Sequence, residues 1–225
     1  MMGAGLPQYL HKLNRRADSR DVDPWMVPGN HEDYPWLARQ PVDELGRRML
    51  APRILALPRG HRFTLSDGER PVVFAAVGGA VSRDRKLRTP GRSWWPEEQI
   101  TDDEERRISD QPAVDVLLTH DAPAGASPPQ LPRATLGEWA GIDVMAAADA
   151  HSARLQRIVD VLRPAVLYHG HSYARYDQDI RCGKPGYRSW CAVHGLACDD
   201  MPGNTVTVSI GELAARIDTM RNRSH

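Results

Sequence analysis

Three apolar, strand-like runs each end in a short polar cluster. Trp25-Met26-Val27 runs into Gly29-Asn30-His31-Glu32, Val114 to Leu118 into His120-Asp121, and Ala165-Val166-Leu167 into His169-Gly170-His171. Val72 to Val77 reads as a strand buried on both faces, ending in Gly78-Gly79. Residues 53–57 and 61–65 predict two short strands around a hairpin turn at Pro58-Arg59-Gly60, and 189–196 and 204–210 two closing strands. Helices are expected at 7–17, at 32–39 and at 210–220. Another is expected after Thr101-Asp102-Asp103-Glu104, which matches a capping box. The longest is 144–162, where Val144, Ala148, His151, Leu155, Ile158 and Leu162 recur at three- and four-residue steps before Pro164. Residues 81–96 and the Pro- and Gly-rich 121–138 read as irregular loops. This mixture predicts one α/β domain spanning residues 1–225.

In an open α/β sheet, ligands bind in the crevice beyond the carboxyl ends of the strands. Three strands that each deliver a histidine there place those histidines in one candidate site. Imidazole and amide donors suit a divalent transition metal (manganese, iron, zinc or nickel) better than calcium or magnesium.

The ordered set GNHE (29–32), a strand ending in Thr119-His120-Asp121, and a strand ending in Gly170-His171 resembles the calcineurin-like metallophosphoesterases. The resemblance runs from about residue 22 to about residue 210, and the chain is similar to the family's small bacterial and phage-type members. It implies a β-sandwich flanked by helices, two metal ions, and hydrolysis of phosphoric esters. Asn30, His120 and His171 would be ligands of one ion. His31 would be the general acid, or a cation facing the phosphoryl oxygens.

Two departures accompany the match. The family opens with an Asp-x-His strand and a Gly-Asp-x-x-Asp segment, which supply the first ion's ligands and the bridging aspartate; here nothing before Asp18 is acidic. The expectation is a sheet missing its first strand or strands, with the true start upstream of the paired Met1-Met2. The family's GHxH also reads Gly170-His171-Ser172-Tyr173, with a tyrosine where the second histidine would stand. Three neutral ligands with no bridging carboxylate should bind metal weakly and catalyse poorly. The alternative is a non-catalytic remnant that keeps the fold as a binding or scaffold module.

Each residue also has a simpler reading: a turn asparagine for Asn30, a surface loop histidine for His31, and structural hydrogen-bonding histidines for His120 and His171. Asp121 either accepts a hydrogen bond from a ligand imidazole or starts the next turn. Strand alternation aims His169 at the other face, as a buried structural histidine. In the 81–96 loop, Arg83, Arg85, Arg88 and the pair Trp94-Trp95 are candidates to line a substrate cleft, Arg88 foremost. Cys182, Cys191, His194 and Cys198 have the ligand types of a structural zinc site. Their spacing, however, lacks a Cys-x-x-Cys pair.

Composition narrows the partners. At 225 residues, 41% hydrophobic and 26% charged, the chain is ordinary for a soluble globular protein, and its formal net charge of zero gives nucleic acid no electrostatic advantage. The substrate expected is a small-molecule or nucleotide phosphate ester, with a nuclease activity at the same site as a variant reading. Only Lys12, Lys86 and Lys184 are lysine, against 26 arginines. Arginine forks phosphate well, but such a bias also follows from genome composition. No run reaches the ~18 apolar residues of a membrane span, Lys12 and Arg15 break any signal-peptide pattern, and a cytoplasmic protein is expected.

Overall fold

The computed structural model describes residues 6–129, 133–184, 186 and 189–223, with backbone only at 133–136. Two sheets organise them. The larger has six strands in the order β4-β5-β6-β7-β9-β8: β4 (His61–Ser66), β5 (Pro71–Val77), β6 (Val116–Thr119), β7 (Val166–His169), β8 (Tyr176–Cys182) and β9 (Ser189–Gly195). β5, β6, β7 and β9 are mutually parallel, and antiparallel β4 and β8 close the two edges. The parallel strands are almost wholly buried, which is why they read as continuous apolar runs.

Alternation along these strands feeds two cores. Ala75, Val77, Leu117, Leu167, Cys191 and Val193 face one side, packed against Ile108 of α3 (Asp102–Ser109) and Leu155, Ile158 and Leu162 of α5 (Ile142–Leu162). Val72, Phe74, Val116, Val166, Tyr168 and Ala192 face the other, packed against Leu213, Ile217 and Met220 of α6 (Ile210–Asn222). The crossovers β5-α3-β6 and β6-α5-β7 step the same way across the sheet. With the usual right-handed sense they put α3 and α5 on one face, leaving the other to α6.

The smaller sheet has the order β1-β3-β2, each strand two residues long: β1 (Trp25–Met26), β2 (Arg48–Met49) and β3 (Leu55–Ala56). It meets the larger sheet where Trp25 packs edge-on against Phe63 of β4. α1 (Leu6–Asp18) and α2 (Tyr34–Ala38) flank it in sequence. No helix among the described residues is long and apolar enough to cross a membrane.

Several expectations are corrected. Pro58-Arg59-Gly60 is not a hairpin turn: β3 and β4 belong to different sheets, and β4 forms its hairpin with β5. The strand before the GNHE cluster pairs with β3 in the small sheet, not with the strands that precede His120 and His171. Residues 204–209 form no strand; Ser209 caps α6 through a capping box with Glu212, and Val208 reaches the core without a ladder. Residues 133–138, placed in the loop, belong to α4 (Arg133–Ala140). β8 went unrecognised because Asp177, Gln178 and Asp179 mask its alternation. Charged residues facing solvent suit an edge strand.

Arg59 ties the two sheets together. Its five guanidinium N–H groups meet five acceptors: Nε donates to Gly78 O at 2.9 Å, Nη1 to Gln99 O at 3.1 Å and the Glu104 carboxylate at 2.9 Å, and Nη2 to Glu97 O at 2.7 Å and Glu98 O at 2.8 Å. The guanidinium also lies over the Tyr34 ring, 4.6 Å from its centroid. Replacing Arg59 by Met should therefore orphan several buried acceptors and cost about 3 kcal/mol or more. Urea unfolding measures this, and a loss below about 1 kcal/mol would show the clamp to be dispensable.

Candidate functional site

Asn30, His120 and His171 arrive at one place by three different routes. His120 follows β6 and His171 follows β7, adjacent parallel strands whose carboxyl ends are held together where Gly170 N donates to His120 O at 3.1 Å. Asn30 follows β1, and its loop is pinned to the end of β5 where Gly79 N donates to Pro28 O at 2.8 Å. Tyr34 supports the same loop, its hydroxyl donating to Gly29 O at 2.8 Å. Glycine at 29 is required by proximity: a Cβ there would stand 2.6–2.8 Å from three atoms of the His120 ring. Gly78 meets a similar limit, with Pro28 O at 2.4 Å from the place of a Cβ.

The Asn30 side chain is buried and its orientation is determined. Glu98, fully buried, accepts from Ser82 N at 2.7 Å and from Ser82 Oγ at 2.6 Å. The single Ser82 hydroxyl proton is thus committed to a carboxylate, so its oxygen accepts from Asn30 Nδ2 at 2.9 Å. That turns Asn30 Oδ1 toward His120, whose Nε2 lies 3.1 Å away. The His171 ring is adjacent, 5.1 Å from that of His120 between centroids.

Both imidazoles are neutral. Burial, followed by the neighbouring His171, pushes His120 down to about 3. His171 is also lowered, chiefly by burial and, among the charges, by Arg83 and His151, against the pull of Asp121. His171 sits at φ 60° and Tyr173 at φ 58°, so two non-glycine residues in one turn occupy the left-handed region. Such strain tends to collect at functional sites.

His31 is exposed at the rim, its Nε2 3.5 Å from Arg88 Nη2. Burial of part of the ring and then Arg88 lower it, opposed by Asp84. Arg88 itself is held by Asp84 at 2.6 Å and Ser93 O at 3.0 Å. The Nε groups of Arg83 and Arg88 are buried without a hydrogen-bond partner. Arg83 acts on His171 through its charge, and Arg88 stands beside His31.

Other candidates lie elsewhere. Asp121 bonds neither candidate ligand: its carboxylate pairs with His151 of α5, Nδ1 to Oδ2 at 3.1 Å, and accepts from Ala122 N. Burial works to raise that carboxyl, but the His151 bond, His171 and the backbone N–H outweigh it and hold it at about 2. His169 is buried beneath the site. Its Nδ1 donates to Gly170 O at 2.8 Å and its Nε2 accepts from Tyr176 at 2.5 Å. Tyr173 is 65% exposed. Arg85 is engaged by Asp143, and Trp95 is buried in the interior rather than offered to a base. Cys182 and Cys191 are core thiols, and His194 is bound to Asp177 and Arg216.

Arg59, Ser82, Glu98 and His151 escaped the sequence reading.

Two imidazoles and an amide oxygen stand together here, and among the described residues no group of three or more His, Cys, Asp or Glu side chains that could hold a metal ion gathers. No protein-family model matches the chain, and no curated protein matches its sequence.

Ser82→Ala should strip a donor from Glu98 and the acceptor from Asn30 Nδ2, at about 1–3 kcal/mol. Denaturant titration with amide NMR of Asn30 checks this; unchanged stability and an unchanged side-chain amide signal would dissolve the proposed orientation.

Proposed function

We propose that this chain carries one half of a calcineurin-like metallophosphoesterase centre, in a metallophosphoesterase-like sandwich, and acts on phosphoric esters with a single divalent transition ion. The observation that carries the reading is the pairing of an oriented amide oxygen, Asn30 Oδ1, with His120 Nε2 at 3.1 Å beside a second neutral imidazole. Nitrogen and oxygen donors this close to each other in a buried corner suit adjacent positions around one metal. Manganese, iron, zinc and nickel all accept such donors.

A bound ion supplies Lewis-acid polarisation of a phosphoryl oxygen. The chain's own groups do the rest. Arg88, oriented by Asp84, and Arg83 present guanidinium N–H groups to the remaining phosphoryl oxygens. His31, beside Arg88, stands where a leaving oxygen needs a proton. Its lowered affinity for that proton in the free protein means that the phosphate itself must draw the imidazole toward its charged form. The Glu98–Ser82–Asn30 chain keeps the amide oxygen aimed inward, and second-tier contacts of this kind are worth roughly 10–100-fold in metal affinity.

A non-catalytic binding role is the second reading. The exposure of Tyr173 and the lack of any carboxylate among the gathered donors favour it.

Calorimetric titration of the metal-stripped chain with zinc or manganese tests the proposal. One ion per chain should bind, and Asn30→Ala and His171→Ala should each weaken it by about tenfold or more. Slow metal-dependent hydrolysis of an aryl phosphate should fall about a hundredfold in His31→Ala. Metal binding without turnover would leave the scaffold reading, and no metal binding at all would end both the centre and its chemistry.

A further inference from the structure

A cavity of about 420 Å³ opens on the far side of His31, between α1 and the small sheet. Its walls are Leu10 and Leu13 of α1, Trp25 and Met26 of β1, Trp36 of α2, and Ile54. None of the described residues lining it is lysine or arginine. Small-molecule sites have this character, typically ~300–1,000 Å³, mostly apolar, with few polar groups placed at one end.

The ionisable groups at the His31 end are His31 and Glu32, and Tyr9 of α1 adds a hydroxyl to the lining. Glu32 Oε2 is buried and has no hydrogen-bond partner. A buried carboxylate oxygen without a donor is costly, burial raises this carboxyl against the backbone N–H groups of the 29–32 loop, and the residue forms part of the cavity wall. His31 lies on both sides of the problem: its Nε2 neighbours Arg88 at the anion-facing rim, and its ring forms part of the cavity lining.

We infer that this cavity receives the alcohol portion of the substrate, an apolar, ring-sized group carrying one hydrogen-bond donor for Glu32. The inference rests on the phosphoric ester reading of the neighbouring site. In hydrolysis the bond between phosphorus and the alcohol oxygen breaks, a water oxygen bonds to phosphorus, and a water proton ends on the departing alcohol oxygen. The departing group lies on the side of the proton donor, and the apolar space borders His31. Polyanionic or sugar-like alcohols gain nothing from walls of leucine, isoleucine and tryptophan.

The test uses the full chain, stripped of metal, with 1-naphthol as probe and quenching of tryptophan fluorescence as readout. Naphthol should bind with one-to-one stoichiometry, and 1-methoxynaphthalene, which has no hydroxyl donor, about tenfold or more weaker. Leu10→Trp on α1 and Leu50→Trp, at another residue of the lining, should each weaken naphthol by about tenfold or more while leaving zinc affinity and the thermal transition unchanged. With metal present, 1-naphthyl phosphate should exceed methyl phosphate in kcat/KM by about a hundredfold, and octyl phosphate shows whether a ring or any apolar chain is taken. Absent naphthol binding, or binding untouched by both filling variants, overturns the cavity assignment even if methyl phosphate is hydrolysed, which leaves the ester reading intact. Naphthol binding with no metal-dependent turnover of any phosphate overturns the ester reading, and with it the identity of the occupant as a leaving group.

Discussion

The guanidinium of Arg59 is the constraint on which the rest of this structure depends. It lies on the connection between the small sheet and the large one, where backbone carbonyls from the end of β5 and from 97–99 converge without a secondary-structure ladder to satisfy them. Buried carbonyls need donors, and arginine is the side chain with enough of them in a fixed plane. The Glu104 carboxylate, itself part of the capping box of α3, offsets the charge. Tyr34, stacked beneath the guanidinium, reaches on to Gly29 O. One cation thereby sets the relative positions of the 78–79 turn, the 97–99 segment, α3 and the 29–32 loop. Glycine at 79 follows from the same crowding, since a Cβ would meet Glu98 O at 2.3 Å in a backbone already at φ 103°.

From that frame the polarity of the site propagates in one direction. Glu98 accepts from Ser82, Ser82 accepts from Asn30, and Asn30 turns its oxygen to His120. A single buried carboxyl, reached through two side chains, thus bears on which atom of an amide faces two neutral imidazoles. The buried negative charge that acts on both imidazoles is that of Asp121, which bonds neither of them.

Much of the large sheet was legible because parallel strands buried on both faces must be continuously apolar, and Val72 to Val77, Val116 to Leu118 and Ala165 to Leu167 are. α5 was legible through its stepped apolar positions. Asn30, His120 and His171 were legible through placement just after strands, although β1 proved to lie in a different sheet from the other two. The edge strand β8 was not legible, because polar Gln178 on its inward side joins Asp177 and Asp179 in an unbroken polar run. Nor was the role of Arg59: beside Pro58 and Gly60 it looked like a turn residue, and only the meeting of distant segments, 19 to 45 residues away, reveals its acceptors. Ser82 and Glu98 were hidden for the same reason, since a hydrogen-bond relay between loops leaves no period in the sequence.

Anomalous scattering from crystals soaked in zinc would test the central claim most directly. A single peak should stand about 2.0–2.2 Å from Asn30 Oδ1, His120 Nε2 and a ring nitrogen of His171, with no second ion beside it. A peak elsewhere, a pair of ions, or an amide turned with its nitrogen toward His120 would contradict the account.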